Sequence, residues 1–275
     1  MTDTHQTTTT TVTSRDGTEL AYWTSGEGPP LLLVHGATAD HTRWRPLLPF
    51  LESYATVYAM DRRGRGTSGD APGYALAREY EDVAAVVDAV AERAGRAVDV
   101  YGHSYGGVCA FGAAALTSNI RRLVLYEGWP IVEPARLALE PAVREGLDEV
   151  VAAGEGEAAL EIFMRDVVQV PDDERRAIRA QPTWPARVAA AHTITREMQA
   201  IAEVAFDPAQ AAAIAVPVLL LTGSDSPDLA AADVEAVAAA LPDARTVVLA
   251  GQQHLADVLA PEYFAAEVVQ FLRRG

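Results

Sequence analysis

Lysine is missing altogether: all 22 basic residues of this 275-residue chain are arginine. That absence removes a pyridoxal Schiff base, a phosphate-binding Walker A lysine and a lysine general base, since each needs a primary amine. Only one cysteine is present, Cys109, so no internal disulfide can form, and no Cys or His pair has zinc-site spacing. No cofactor and no metal are expected. No apolar stretch approaches the roughly 18 uninterrupted residues that a transmembrane helix needs. The opening residues (Met1, Thr2, Asp3, then Thr7 to Thr11) lack a basic segment followed by an apolar one, and lack a myristoylation start. A cytoplasmic protein is expected. Positive charge is also scarce, with a net charge of −16. An acidic field of this size repels phosphate backbones and anionic lipid, so neither nucleic acid nor membrane is an expected partner.

What is present is an alternation of short apolar runs with longer helical patterns, the signature of a mostly parallel sheet covered on both faces. An early hairpin is predicted at Thr9–Ser14 and Glu19–Thr24. Strands follow at Leu31–His35, Thr56–Met60, Val98–Tyr101, Leu123–Tyr126, Val218–Thr222 and Thr246–Leu249. Between them, Val83, Val86, Val87 and Val90 recur at helical spacing within Arg78–Ala94, and Gly95 supplies the stop. The alternation breaks from Trp129 to about Ile214, where the chain reads as helical throughout, punctuated by Pro and Gly. The predicted organisation is a core from residues 1–130 and 214–275, interrupted by a helical lid at 131–213. A lid so placed covers the carboxyl edge of the sheet, where ligands bind in open α/β folds.

The chemistry centres on Gly102-His103-Ser104-Tyr105-Gly106, which follows a predicted strand and opens a small-residue helix. A strand–turn–helix context is what a nucleophile elbow requires: the turn is too tight for bulk two residues either side of the serine. A serine hydroxyl needs a base. Of six histidines, His5 is in the N-terminal tail, His103 is locked inside the elbow, His35 and His41 lie at and beyond an early strand end, and His192 belongs to the lid. His254 follows the last strand, in a loop that reaches the same edge as Ser104. Cys109, on the helix behind the elbow, reads as a buried inert thiol. Gly64, Gly66 and Gly69 match a dinucleotide fingerprint, but Asp70-Ala71-Pro72-Gly73 follows where a helix N-terminus is needed, so that reading fails.

Val34-His35-Gly36, the loop Asp61-Arg62-Arg63-Gly64-Arg65-Gly66-Thr67-Ser68-Gly69, the elbow and the late histidine come in an order that resembles the α/β-hydrolase superfamily. The resemblance implies an α/β-hydrolase fold with an eight-stranded sheet, and an oxyanion hole built from the backbone N–H groups of Ala37 and Tyr105. In most relatives the acid of the triad sits in a Gly-x-x-Asp pattern after the penultimate strand. Here that stretch reads Gly223-Ser224-Asp225-Ser226, so the expected position holds Ser226 and Asp225 is one residue early. Glu127, directly after Leu123-Val124-Leu125-Tyr126, is the favoured acid. Its setting, Leu125-Tyr126-Glu127-Gly128-Trp129-Pro130, resembles haloalkane dehalogenases and zearalenone-type lactonases, which take their acid from this place. The same likeness extends to Pro182-Thr183-Trp184 and implies a substrate contact for Trp184. Dehalogenases and epoxide hydrolases carry aspartate as nucleophile, so Ser104 argues against both chemistries.

The sequence therefore predicts a cofactor-free serine hydrolase acting on an ester, lactone or thioester of a small to medium hydrophobic molecule. The alternatives on the same residues are C–C hydrolysis or perhydrolysis, and a slow-turnover small-molecule receptor. His41, Trp44, Trp129, Phe163 and Met164 could line a pocket or belong to the core, and the sequence does not choose.

Overall fold

The computed structural model describes residues 8–137, 139–226 and 228–274; His5 lies outside them. Eight strands form one sheet: β1 (Thr8–Thr13), β2 (Glu19–Ser25), β3 (Pro30–Val34), β4 (Thr56–Met60), β5 (Val98–His103), β6 (Ile120–Tyr126), β7 (Val218–Gly223) and β8 (Ala244–Leu249). Their order is β1-β2-β4-β3-β5-β6-β7-β8. β1 pairs antiparallel with β2, β2 antiparallel with β4, and every other neighbouring pair is parallel.

Parallel neighbours require crossover segments, and these put helices on both faces of the sheet. That is why β3 and β5 are buried at every position, and why β3 reads as a continuous apolar run. Leu32, Val34 and Val100 face the helices Leu76–Ala94 and Tyr105–Ala113, while Leu31, Leu33 and Tyr101 face the closing helix Pro261–Leu272. Each such side chain contributes about 2 kcal/mol of apolar burial. β8 is an edge strand with Val248 exposed, and it starts at Ala244, two residues before the expected Thr246, with Ala244 and Arg245 half-buried. The helix Leu76–Ala94 begins two residues before its expected start and ends at Gly95, whose φ of 65° is the left-handed stop.

Winding reverses between β3 and β5. The chain steps outward from β3 to β4, then returns to place β5 on β3's other side. A crevice opens beyond the carboxyl ends of two such strands. Between β6 and β7 run helices Pro141–Ala152, Gly156–Ile162, Asp172–Arg179, Trp184–Ala190 and Ile194–Ala202, with no strand among the described residues. This insert has its own apolar cluster, including Leu147, Leu160, Phe163, Ile178 and Ile194, and Leu255 of the core joins it.

The glycine-rich loop after β4 binds the insert through buried charge, a role its sequence did not disclose. Arg62 pairs with Glu79 at 2.6 Å, Arg63 with Asp82 at 2.6 Å, and both Arg62 and Arg65 reach Glu197 of the insert. Removing one partner of a buried pair costs about 3–5 kcal/mol, so these contacts fix where the insert sits.

Candidate active site

The elbow turns between β5 and the helix Tyr105–Ala113. A Cβ on Gly102 would lie 2.6 Å from the Gly107 Cα, and one on Gly106 would lie 2.3 Å from the His35 carbonyl oxygen, so only glycine fits either place. The turn forces Ser104 to φ 52° and ψ −129°. That is strained backbone for a residue with a Cβ, and it lifts the side chain out at the switch point. Thr38, beside Ala37, is similarly held at φ 56°. The amides of Ala37 and Tyr105 find no acceptor among the described residues.

Glu127 immediately follows β6 at φ 44°, its N–H donating to the Leu221 carbonyl at 3.0 Å. Its Oε2 lies 2.7 Å from His254 Nδ1. Its Oε1 accepts from the Gly223 N–H at 2.9 Å, from the Thr222 hydroxyl at 3.1 Å and from the Ser226 hydroxyl. Burial alone would raise the pKa of this carboxyl. The His254 hydrogen bond and charge, with the Gly223 and Ser226 donors, outweigh burial and hold it below its ordinary value. With Nδ1–H given to Glu127, the lone pair of His254 is on Nε2, free to accept a proton.

The His254 loop is tied to the strand ends on two sides. His103 Nε2 donates to the His254 carbonyl at 2.9 Å, and the Tyr126 hydroxyl donates to the Gln253 carbonyl while accepting from the Ala256 N–H at 3.0 Å. Burial, with the nearby Arg43 cation, pushes His103 well below the usual histidine range, so it stays neutral and keeps this single donor. Burial likewise raises the Cys109 thiol, as an inert core cysteine requires.

Ser104, His254, Ala37, Tyr105 and Glu127 share one cavity of about 270 Å³, whose remaining wall includes Trp129, Phe163, Ile194 and Met198. The Ser104 hydroxyl makes no hydrogen bond among the described residues; contacts of this kind often tighten only when substrate binds. Asp225 does not reach His254: it is exposed and accepts from the Ser224 hydroxyl at 2.7 Å. Trp184 does not line the cavity either. Its indole N–H bonds Glu157 at 3.2 Å and its ring packs in the insert's own cluster, because that face of its helix turns inward to the insert. Trp129 and Phe163 reach the cavity, Met164 lines a smaller adjoining one, and Trp44 is core. His41 pairs with Asp61 at 2.9 Å and stacks on Trp23. Asp40, His41 and Asp61 bring ligand-type atoms together, but the Asp61 oxygens already accept from His41 and from the Thr67 N–H. Ser226, on the Glu127 carboxylate, and His103, on the His254 loop, are contacts to which sequence reasoning assigned no role. The only signal for Ser226 was that it stands where most relatives carry the acid.

Comparison with known proteins places these features in a family. The model of the alpha/beta hydrolase family matches residues 31–267. The chain is similar to 2-(acetamidomethylene)succinate hydrolase of Mesorhizobium japonicum, 29% identical over 90% of this chain and 89% of that one. It is 26% identical to 2-hydroxy-6-oxo-6-(2'-aminophenyl)hexa-2,4-dienoic acid hydrolase of Metapseudomonas resinovorans, over 94% of this chain and 89% of that one. Among solved structures, an alpha/beta hydrolase from Sphaerobacter thermophilus DSM 20745 superposes with a TM-score of 0.82 at 36% identity, covering 96% of this chain and all of that one. From β3 to the closing helix, then, this chain belongs to the α/β-hydrolase family and is a hydrolase.

Proposed function

We propose that the protein is a serine hydrolase that cleaves an ester, lactone or thioester of a small to medium apolar substrate through an acyl-enzyme. The observation that carries this reading is the 2.7 Å contact of Glu127 with His254 Nδ1, made in the cavity that Ser104 enters from the elbow. The Ser104 hydroxyl attacks the carbonyl carbon as its proton passes to His254 Nε2. Glu127 orients the ring and balances the imidazolium. The Ala37 and Tyr105 N–H groups receive the oxyanion, which exists only in the tetrahedral species and so lowers the barrier rather than tightening substrate binding. His254 returns the proton to the leaving oxygen or sulfur. Water, activated by the same base, then releases the acid and restores Ser104. The wall of Trp129, Phe163, Ile194 and Met198 favours an apolar substrate, and the helical insert acts as the lid that keeps it dry.

The test is steady-state hydrolysis of short and medium 4-nitrophenyl esters by the wild type and by Ser104→Ala. Turnover that falls at least about 10³-fold in the variant supports the mechanism. Equal turnover in both overturns it. One stoichiometric acylation without sustained turnover assigns a slow receptor instead.

A further inference from the structure

Six arginines are buried among the described residues: Arg43, Arg62, Arg63, Arg65, Arg122 and Arg187. The first four each hold a carboxylate; Arg43, for example, spans both oxygens of Asp257 at 2.6 and 2.7 Å. Arg122 gives its head group to the Arg274 carbonyl near the end of the chain. Arg187, on the insert helix Trp184–Ala190, is different. It is 8% exposed, and no carboxylate among the described residues lies within ion-pair distance. Among the described residues its one hydrogen bond is to the Thr38 hydroxyl at 3.3 Å, the long end of the range.

The guanidinium lines a cavity of about 40 Å³ that Ser104, His254, Ala37 and Thr38 also line. This small chamber adjoins the 270 Å³ apolar one at the nucleophile and base, since both share Ser104 and His254. Arg43 and His103 also line it, and the rest of its wall is apolar, with Phe163, Met164, Val170 and Leu255. Burial and the neighbouring Arg43 cation push Arg187 down to about 10, with Asp257 and Asp40 only partly compensating. It still carries its charge at neutral pH. Asp257 is already committed to Arg43 and to the Tyr101 hydroxyl at 3.1 Å. A buried cation without its own counter-ion is unfavourable unless a ligand supplies the anion.

We propose that the small chamber is a carboxylate subsite, in which Arg187 receives a free carboxylate carried by the substrate a few atoms from the scissile carbonyl. The inference rests on the serine-hydrolase reading and narrows it: the substrate is an ester, lactone or thioester acid with an apolar part in the large cavity and one anionic group beside the reacting centre. Its planar head suits Arg187, whose donors match two carboxylate oxygens at once. Thr38 holds the guanidinium on one side, and the strained turn at Thr38 couples it to the Ala37 amide.

The test compares pairs of esters that differ only in carboxylate against carboxamide. Monobenzyl succinate, glutarate and adipate place the charge on the acyl side. The phenylacetyl ester of glycolate places it on the leaving side. For the best-fitting pair, the wild type is expected to favour the carboxylate about 100-fold in kcat/KM, the discrimination of a buried charge-assisted hydrogen bond. In Arg187→Met that ratio should fall to about 1, and Arg187→Lys should keep an intermediate value. A ratio is insensitive to the fraction of enzyme folded, and if Arg187→Met does not fold, the wild-type ratio and Arg187→Lys still decide. Wild-type ratios near 1 for every pair overturn the proposal, as does a high ratio that survives in Arg187→Met. Should no ester be cleaved, the ester reading fails separately. Calorimetric binding of glutarate to the wild type and Arg187→Met then decides the subsite: affinity lost in the variant supports it, and equal affinity or no binding to either overturns it. Inhibition by free short carboxylates without any preference among the ester pairs would assign the pocket to a free anion and overturn the substrate claim.

Discussion

The loop leaving β6 and the loop leaving β7 stand side by side at one sheet edge, and each offers a carboxylate. Glu127 turns back at once, at φ 44°, so that its side chain lies over the end of β7 and meets Gly223, Thr222 and Ser226 as donors. Asp225 stands two residues beyond the end of β7. Its N–H bonds the Gln252 carbonyl at 3.0 Å, and its side chain points into solvent. The difference lies in the donors rather than in the acid. A carboxylate serves a half-buried imidazole when the protein supplies hydrogen bonds to the oxygen that the imidazole does not use. Ser226 provides one of these from the very position that holds the acid in most relatives.

Replacing Glu127 by Ala attacks this comparison most directly. It strands the His254 Nδ1 proton and frees the ring to take other tautomers and orientations. A loss of kcat/KM of about 10³ to 10⁴ is expected in steady-state ester hydrolysis. A loss under tenfold would remove Glu127 from the mechanism. Because the Ser226 hydroxyl already touches Glu127 Oε1, an aspartate at 226 on the Glu127→Ala background stands within reach of the vacated place. The double variant Glu127→Ala/Ser226→Asp should recover about 10- to 100-fold over Glu127→Ala alone. No recovery, with the fold intact by circular dichroism, would mean that the β7 loop cannot present an acid to His254 from position 226.

Ser226→Ala is a smaller perturbation, expected to lower kcat/KM about three- to tenfold, the net worth of one hydrogen bond to a charged group. The acid's own titration sharpens the point. Glu127 has its pKa depressed in the folded state by His254, Gly223 and Ser226 against the opposing effect of burial. Its contribution to stability is therefore complete above the unfolded carboxylate value of about 4.3 and is lost as pH falls through the lower folded value. Urea unfolding of the wild type against Glu127→Gln should show a stability difference at pH 6 that shrinks on acidification below pH 4. A difference that grows instead would mean the carboxyl is buried protonated.

How far the sequence revealed this site depends on whether the signal was local. The parallel strands were legible because burial on both faces leaves uninterrupted runs such as Leu31-Leu32-Leu33-Val34, and the elbow because its sterics demand two glycines around Ser104. His254 was legible by its place after the last strand. The arginines of the Asp61–Gly69 loop were not, because their partners Glu79 and Glu197 are distant in sequence and no spacing announces them. Trp184 shows the opposite failure: a tryptophan on a helix carries the same letter whether its face meets a cavity or the cluster behind it. Arg187 reads as one basic residue of an ordinary helix, and only packing reveals that no carboxylate among the described residues pairs with it.

Asp225→Ala should have the smallest effect of the series, which makes it the strictest check on the comparison. The side chain is exposed, and among the described residues its one side-chain partner is the Ser224 hydroxyl. That hydroxyl in turn accepts from the Gly251 N–H at 2.8 Å, three residues before His254, so Asp225 touches the base only through a neighbour that can bond water instead. A surface change of this kind is worth within about 0.5 kcal/mol, or roughly twofold in kcat/KM. Asp225→Ala and Ser224→Ala together separate loop support from acid function. If Ser224→Ala slows the enzyme more than Asp225→Ala, the β7 loop acts by holding the base loop in place. If Asp225→Ala alone matches the loss from Glu127→Ala, the β7 loop carries an acid after all and the two loops work as a pair.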